Sequence, residues 1–510
     1  MVSLELESVA TMFFMVPMKQ SLVAFVVIWS VLPCILLSQH QPGRTLLLRI
    51  DGVTQEQLLG TGIVTLDEYD PRSLVSLVRD TAMVIATRAE AELLRERGFR
   101  CTTLIEDTST VRLFRRARYG PSMNLEPPLH SYSSILHEID SFRKSHPSLV
   151  KVFPIGRTSQ RRQTIYAVRI AHDLRPDQHR PTILFNGCHH SDELLGAEIC
   201  LGIVHELTKH YGIDPQITRW LDSFEIIVVP VVNVDGHDMV TSGGDPRWGK
   251  NARDNDGNGE VMFTEGVNLN RNYDFNWAHG GSADPADRRY RGPYPFSETE
   301  TRAIAELAQQ KRFLLSISYH SQGEVVYYPW NWNGRKAPHD RLLTDIARGL
   351  AGSIRTMRGD TSYRAEYGAA LVGQSFTWLY GVLGTFDFVV ETGKWASFPP
   401  SGEVESIVRA NLSGVRYLLS RAEGPGMVVN VKDAVTGDPL EAEVWLPAIE
   451  SEDVRRRTTR AESGTHRQLL SPGSYEVIIS RQGYETAVLR TVTIGASGWT
   501  VQDVALHTTH

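Results

Sequence analysis

Residues Phe185 to Gly196 read FNGCHHSDELLG and set two histidines and two acids within five positions, directly after the apolar run Pro181-Thr-Ile-Leu-Phe185. A hydrolytic zinc site needs three protein ligands and one coordination place left open for water. His190-Ser-Asp-Glu193, an H-x-x-E spacing between the end of a strand and the start of a helix, offers two ligands. The spacing is common by chance, and a solvated helix start carries the same residues. A third ligand has to come from another strand end. Ser316-Ile-Ser-Tyr-His320-Ser-Gln-Gly supplies it, a histidine that closes an alternating strand before turn residues. His189 and Asp192 form a second pair one residue earlier, so a slip by one position is a rival reading of the same stretch.

The elements around these residues are legible from periodicity. Ser131 to Ser145 is an amphipathic helix, Thr164 to Ile170 a strand, Pro181 to Phe185 a buried strand, Glu193 to Tyr211 a helix, and Phe224 to Val232 another continuously apolar strand. Such runs, separated by helices, imply an α/β domain over about 125–423 whose mixed central sheet is covered on both faces. Ahead of it, 45–110 reads as a small α/β unit. Its strands are Thr45 to Ile50 and Met83 to Ala86, its helices Pro71 to Arg79 and Ala89 to Gly98, and a polar linker follows over Asp107 to Pro121. After Gly424-Pro425 the helices stop. Short alternating runs at Met427 to Lys432, Glu441 to Leu446, Ser474 to Arg481 and Thr491 to Ile494, punctuated by Gly and Pro, predict an all-β sandwich over 424–510.

With 53 Lys+Arg against 59 Asp+Glu among 510 residues and no long run of one sign, the chain builds no basic field for nucleic acid. Met18-Lys-Gln stands before the apolar run Ser21 to Ser38, the order of a secretory signal peptide; an uncleaved anchor over 1–40 is the alternative, and no Ala-x-Ala site decides between them. Either way the remainder is expected outside the cytoplasm, secreted or periplasmic, with the membrane met only through that segment. The four cysteines, Cys34, Cys101, Cys188 and Cys200, make no disulfide framework; a Cys188–Cys200 bridge competes with buried free thiols.

Several blocks, in order, carry a family resemblance. Tyr132-Ser-Ser-Ile-Leu-His-Glu-Ile, Ile155-Gly-Arg-Thr-Ser, the His190/Glu193 and His320 ligands, Gly266-Val-Asn-Leu-Asn-Arg-Asn-Tyr273, Tyr290-Arg-Gly-Pro-Tyr-Pro-Phe-Ser-Glu-Thr-Glu-Thr301, and Phe386-Asp-Phe-Val-Val-Glu391-Thr-Gly with Phe398-Pro-Pro stand in sequence. Over about Tyr132 to Glu423 the chain resembles the zinc metallocarboxypeptidases (funnelins). Val431-Lys-Asp-Ala-Val-Thr-Gly-Asp-Pro-Leu and Leu470-Ser-Pro-Gly-Ser-Tyr-Glu-Val are similar to the transthyretin-like sandwich that follows the catalytic domain in one branch.

The resemblance implies a carboxypeptidase fold, Zn2+ on His190, Glu193 and His320, and Glu391 as the general base that serves the attacking water and the leaving amine. Asn270 and Arg271 match the pair that clamps a substrate's terminal carboxylate, which a guanidinium fork fits bidentately. Tyr367 is the choice for a tyrosine over that carboxylate, with Tyr363 and Tyr380 as competitors. Phe376 lies near the position that sets side-chain preference, an apolar residue that suits an apolar or aromatic C-terminus.

Three departures stand out. Trp248-Gly249-Lys250-Asn251 has glycine where the family's oxyanion arginine stands, so Arg253 or Arg247 becomes the substitute; Asn268 replaces an aspartate that supports a zinc histidine; Thr377 replaces another aspartate. Separately, Asp254, Asp256, Asn258 and Glu265 satisfy the D-x-[DN]-x-[DN]-G-x5-E pattern of a calcium loop, although Asp, Asn and Gly also simply make turns. The expectation is thus a zinc-dependent hydrolase of the C-terminal peptide bond, acting on peptide or protein C-termini. A zinc amidohydrolase of cell-wall peptides and a weakly active homologue that binds peptide termini are the alternatives, and Gly249 favours the latter. The 45–110 unit occupies the place of a pro-segment; apart from Arg115-Arg116 no dibasic signal marks its removal.

Overall fold

The computed structural model describes residues 45–105, except short stretches within 55–80, and 129–509, except 176–179, 243–246, 258, 260, 261–264, 333–334, 370–371 and 395–397. The expected signal or anchor, Cys34, the linker and Asn258 lie outside the described residues. Among those described, no helix is long and apolar enough to cross a membrane. The chain divides between Gly120 and Pro121 into two units.

In the first unit, strands β1 (Thr45–Asp51), β2 (Leu74–Val78), β3 (Thr81–Thr87) and β4 (Arg100–Ile105) form one sheet in the order β2-β3-β1-β4. Helix α1 (Arg88–Glu96) follows β3 and starts in a capping box, Thr87 Oγ1 accepting from Glu90 N while Glu90 Oε2 accepts from Thr87 N. Within the expected helix at Pro71 to Arg79, the described residues Leu74–Val78 form strand β2. Its run LVSLV turns back onto β3, pairing Val78 with Thr81, and ladder formation outweighs helical periodicity in so short a segment.

The second unit is built on a nine-stranded sheet. Its strands are β5 (Val150–Arg157), β6 (Thr164–Ile170), β7 (Thr182–Gly187), β8 (Glu225–Val229), β9 (Leu315–His320), β10 (Val325–Trp332), β11 (Arg335–Lys336), β12 (Arg364–Ala369) and β13 (Phe386–Glu391). The order is β11-β10-β13-β9-β7-β8-β6-β5, with β12 paired to β10. The centre, β13-β9-β7-β8, is parallel and each of its strands is buried throughout, the fate of continuous apolar runs covered on both faces. Side chains such as Phe185, Ile226, Ile317 and Phe388, fully removed from water, contribute roughly 1.5–3 kcal/mol each. Helices α2 (Tyr132–Ser145), α3 (Leu195–His210), α4 (Pro215–Ser223), α5 (Val234–Thr241), α6 (Thr299–Lys311), α7 (Asp340–Ser353), α8 (Ser375–Trp378) and α9 (Ser401–Arg421) surround the sheet. Helix α9 packs on α3 and on α7.

Beyond Gly424, β14 (Gly426–Asp433), β17 (Thr465–Leu469) and β20 (Trp499–Leu506) form one small sheet. A second contains β15 (Glu443–Trp445), β16 (Arg457–Thr458), β18 (Gly473–Ser480) and β19 (Ala487–Ile494). Met427, Val429, Val444, Val477 and Ile479 share their core. A buried polar seam joins this β region to the α/β body. Arg457 Nη1 donates to the Gly381 carbonyl (3.2 Å), Arg457 Nε faces Glu450 Oε1 (3.7 Å), and Gln468 Nε2 lies 2.7 Å from His339 Nε2. Cys101, Cys188 and Cys200 are all free thiols, the last two buried.

Candidate metal centre

The carboxyl ends of β7, β9 and β13 lie side by side: Gly187 pairs with Tyr319, and His320 with Glu391. Crevices at such strand ends are where open α/β sheets take their ligands. Strand β7 runs into the turn that bears His190 and Glu193 before α3 begins at Leu195. Two glycines permit this. A Cβ on Gly187 would stand 2.6 Å from the backbone carbon and oxygen of Gly196, so strand end and helix start touch main chain to main chain. The turn is pinned from the other side. Ser191 Oγ donates to the Trp248 and Lys250 carbonyls, and Asn233 Nδ2 donates to those of His189 (3.2 Å) and Lys250 (3.1 Å).

Three donor side chains converge there. His190 Nδ1 is 2.8 Å from Glu193 Oε1, His320 Nδ1 is 2.8 Å from Glu193 Oε2, and the two imidazole nitrogens are 3.2 Å apart, all three side chains being buried. Ligands about 2.0–2.2 Å from a tetrahedral zinc lie roughly 3.3 Å from each other, so the triangle needs to open by about half an ångström or less. Burial holds the His190 imidazole neutral, well below its usual range, with the His320 and Arg271 charges acting the same way. Burial also pushes the Glu193 carboxyl well above the carboxylate range, against the Ser321 amide and the Arg271 and Arg288 charges. A dication reverses the effect on Glu193 and accepts the neutral imidazole as it is, so the donor set fits a metal better than it fits protons.

One segment faces the outer nitrogens. Asn268 Oδ1 accepts from His190 Nε2 (3.2 Å) while its Nδ2 donates to the Arg288 carbonyl (3.1 Å), an orientation that leaves the His190 Nδ1 lone pair for the cation. Asn270 Nδ2 lies 3.2 Å from His320 Nε2 and its Oδ1 accepts from Ser375 N (3.0 Å). The slipped pair is used otherwise: His189 Nε2 is 2.8 Å from the Tyr273 hydroxyl and its Nδ1 faces Ser318 Oγ, and Asp192 Oδ2 faces Arg288 Nη2 (3.4 Å).

Glu391 ends β13 beside His320 and is 3 % exposed, with Gly323 packed directly on its stem. Asn270 and Arg271 follow Asn268 on one short 3-10 turn; Arg271 is buried, and Nη1 donates to the Asn270 carbonyl (2.8 Å). Other expected site residues are tied elsewhere. Tyr367 sits on β12 opposite Tyr328, three residues along from the Val325–Glu391 pair toward the other end of the sheet, and its hydroxyl donates to Asp340 Oδ1 (2.6 Å). Its competitors are engaged too, Tyr363 with Thr392 and Gly393, Tyr380 with Pro338 and His339. Arg253 Nη1 pairs with the buried Glu298 (2.8 Å), so its charge is spent on a carboxylate 45 positions on. Phe376 is fully buried, its ring tip against Gly368, and Thr377 Oγ1 donates to the Gln374 carbonyl (3.0 Å). Carboxylates of Asp254, Asp256 and Glu265 gather within 4.8 Å, but the Asp254 oxygens accept from Gly257 N (2.7 Å) and Gly259 N (2.8 Å), the bonding of a turn. Calcium there rests on the sequence pattern alone.

Sequence reasoning missed a polar layer beneath the centre. Asn186, Ser318 and Asp387 lie on the sheet face that carries His320 and Glu391; Ser318 Oγ donates to Asn186 Oδ1 (3.0 Å), and burial raises Asp387 to about 7. The aspartate inside the apolar run Phe386 to Val390 was the available signal. Arg288, in a polar loop without a motif, gave none.

The zinc carboxypeptidase pattern (peptidase M14) matches residues 135–414, more than half of the chain. Carboxypeptidase A4 of Mus musculus is 28 % identical over 299 residues, covering 57 % of this chain and 69 % of that one. Carboxypeptidase B of Homo sapiens is 26 % identical over 285 residues, 54 % of this chain and 66 % of that one. The crystal structure of carboxypeptidase A from Helicoverpa armigera shares the fold with a TM-score of 0.56 at 20 % identity, over 75 % of this chain and 98 % of that one. On the family match and the His-Glu-His centre together, the chain belongs to the zinc carboxypeptidase family.

Proposed function

We propose that the protein removes C-terminal residues from peptides outside the cytoplasm. The observation that carries this reading is the convergence of His190, Glu193 and His320 beside Glu391, in register on the neighbouring strand. Zn2+ held by those three ligands would lower the pKa of a water toward about 7 and polarise the scissile carbonyl. Glu391 takes the attacking water's proton and returns it to the leaving amine as the C–N bond breaks. Asn270 and Arg271 hold the terminal carboxylate, whose charge the buried guanidinium matches. By its place in the family pattern, Phe376 is taken to favour an apolar C-terminal side chain.

The N-terminal apolar run supports export, and the β region after Gly424 is read as a transthyretin-like module that braces the catalytic body through Arg457 and Gln468. A calcium-dependent rise in melting temperature would be needed before the Asp254–Glu265 loop is assigned an ion.

N-blocked dipeptides and their C-terminal amides, assayed with and without a zinc chelator, test the reading. Chelator-sensitive hydrolysis of the free acids alone is expected. Equal cleavage of the amides would transfer the chain to the amidohydrolase alternative, and no cleavage of either would leave a peptide-terminus binder.

A further inference from the structure

The turn that carries Asn270 and Arg271 meets the metal ligands twice, Asn268 at His190 and Asn270 at His320. A third contact lies just beyond it. Tyr273, two residues past Arg271, is fully buried, and its hydroxyl is 2.8 Å from His189 Nε2. Its ring packs against Phe296 and Trp378, centroids 5.6 and 6.1 Å away, so close packing sets the direction of the phenol.

The protons around His189 can be assigned from their partners. Burial holds the ring neutral, so one nitrogen donates and the other accepts. Asn186 Nδ2 donates to the Ile317 carbonyl (3.4 Å), which turns Asn186 Oδ1, an acceptor only, to Ser318 Oγ (3.0 Å). Ser318 commits its one hydroxyl proton there and can only accept from His189 Nδ1 (3.4 Å). Nε2 therefore keeps its lone pair for the Tyr273 hydroxyl, the shortest bond of the set. Tyr273, His189, Ser318 and Asn186 form a chain of one direction, and it ends on the main chain of β9, the strand that His320 closes. The His189 ring also lies nearly parallel to that of His320, centroids 5.9 Å apart and planes 20° apart. Its carbonyl accepts from Asn233 Nδ2 (3.2 Å). His189 is thus fixed on every side before it meets Tyr273.

Two anchors leave a turn free to pivot, and a third, on a ring of its own, opposes that motion. We propose that His189 is a positioning residue which, through Tyr273, sets the place of the Asn270–Arg271 carboxylate clamp relative to the metal ligands. The inference rests on reading the centre as a zinc peptidase with that clamp. A displaced clamp holds the terminal carboxylate less well in ground state and transition state alike, so the loss falls mainly on KM.

The test uses the full-length zinc-loaded protein, an N-blocked dipeptide, and an N-blocked amino acid that offers only the terminal carboxylate. Tyr273→Phe removes one oxygen, and His189→Phe keeps a ring without either nitrogen. Each is expected to raise KM and to weaken the N-blocked amino acid about 3- to 10-fold, the effect of one buried hydrogen bond. The double variant should be no weaker than the worse single one, because both changes remove the same contact. Zinc affinity against a competing chelator, and the absorption spectrum of the cobalt-substituted protein, should stay as in the wild type, since neither residue is a ligand. A bond that served stability alone would lower the denaturant midpoint and leave KM and the N-blocked amino acid at wild-type values, which would overturn the inference. Full additivity of the two changes, or a loss confined to zinc affinity, would overturn it as well. Tyr273→Phe carries the test if His189→Phe does not fold. A wild type that hydrolyses nothing yet binds the N-blocked amino acid would sink the peptidase reading, and the binding measurements would still decide this one; a wild type that binds neither ligand sinks both.

Discussion

Replacing Gly323 by alanine puts a single methyl group against the proposed general base. The new Cβ would stand 3.1 Å from Glu391 Cβ and 3.0 Å from Val325 Cγ1, where carbon atoms settle at about 3.5–4.0 Å. Roughly half an ångström or more must therefore be found. Glu391 Cβ moves only with its backbone, and β13 is paired on both sides, to β9 and to β10. The Gly323 segment is also held, its N–H donating to the Gly393 carbonyl (3.0 Å). The half ångström therefore has to come from a strained shift of the β13 end, which carries the Glu391 carboxylate with it. A misplacement of about 1 Å can cost about 100-fold in rate, so half of that predicts about a tenfold fall in kcat. Overpacking should also cost about 1–3 kcal/mol of stability, while the zinc ligands keep their places. Steady-state hydrolysis of the blocked dipeptide, with zinc content and denaturant midpoint measured on the same preparation, checks all three. Gly352→Ala serves as control: nothing lies within 4 Å of that position at the end of α7, and alanine favours a helix by up to about 1 kcal/mol. Wild-type kcat in folded, zinc-loaded Gly323→Ala would refute the claim that Glu391's placement governs the rate.

Gly187→Ala drives a Cβ to 2.6 Å from the Gly196 main chain, which has no flexible end to yield, so zinc affinity measured against a competing chelator should fall at least about tenfold; unchanged affinity would contradict the role given to that contact. Asp387 keeps its proton to about pH 7 when folded and to about pH 4 when unfolded, so its contribution to stability is complete below about pH 4 and is lost as pH rises through 7, by a few kcal/mol. The melting temperature of Asp387→Asn relative to wild type should therefore rise between pH 5 and pH 8, and a pH-independent difference would count against it. Arg457→Ala leaves Glu450 buried beside the seam under the β region and should cost about 3–5 kcal/mol in denaturant unfolding, where a loss below about 1 kcal/mol would show the seam to be incidental.

Much of the centre was legible because its chemistry and its scaffold write the same marks in the chain. The runs that became β7, β8 and β13 are largely apolar because both faces are covered, and the spacing of His190 and Glu193 already places them on one turn. Alternation in β9 was legible too, but its meaning was not. Ser316 and Ser318 form a buried polar layer with Asn186 and Asp387, since periodicity reports which face differs and not what covers it. For Arg253 and Tyr367 the chain carries no sign of the partners they have. Their partners, Glu298 and Asp340, are 45 and 27 positions away, and only the fold brings them close. Leu74–Val78 went astray locally, where pairing with β3 decides a segment whose periodicity is too short to.

Metal analysis of the purified protein tests the centre most directly. About one equivalent of zinc per chain is expected, lost in His320→Ala and Glu193→Gln, with hydrolysis abolished by chelation and restored by zinc alone. A wild-type protein that holds no transition metal, or variants that keep as much zinc as the wild type, would contradict a centre built on His190, Glu193 and His320.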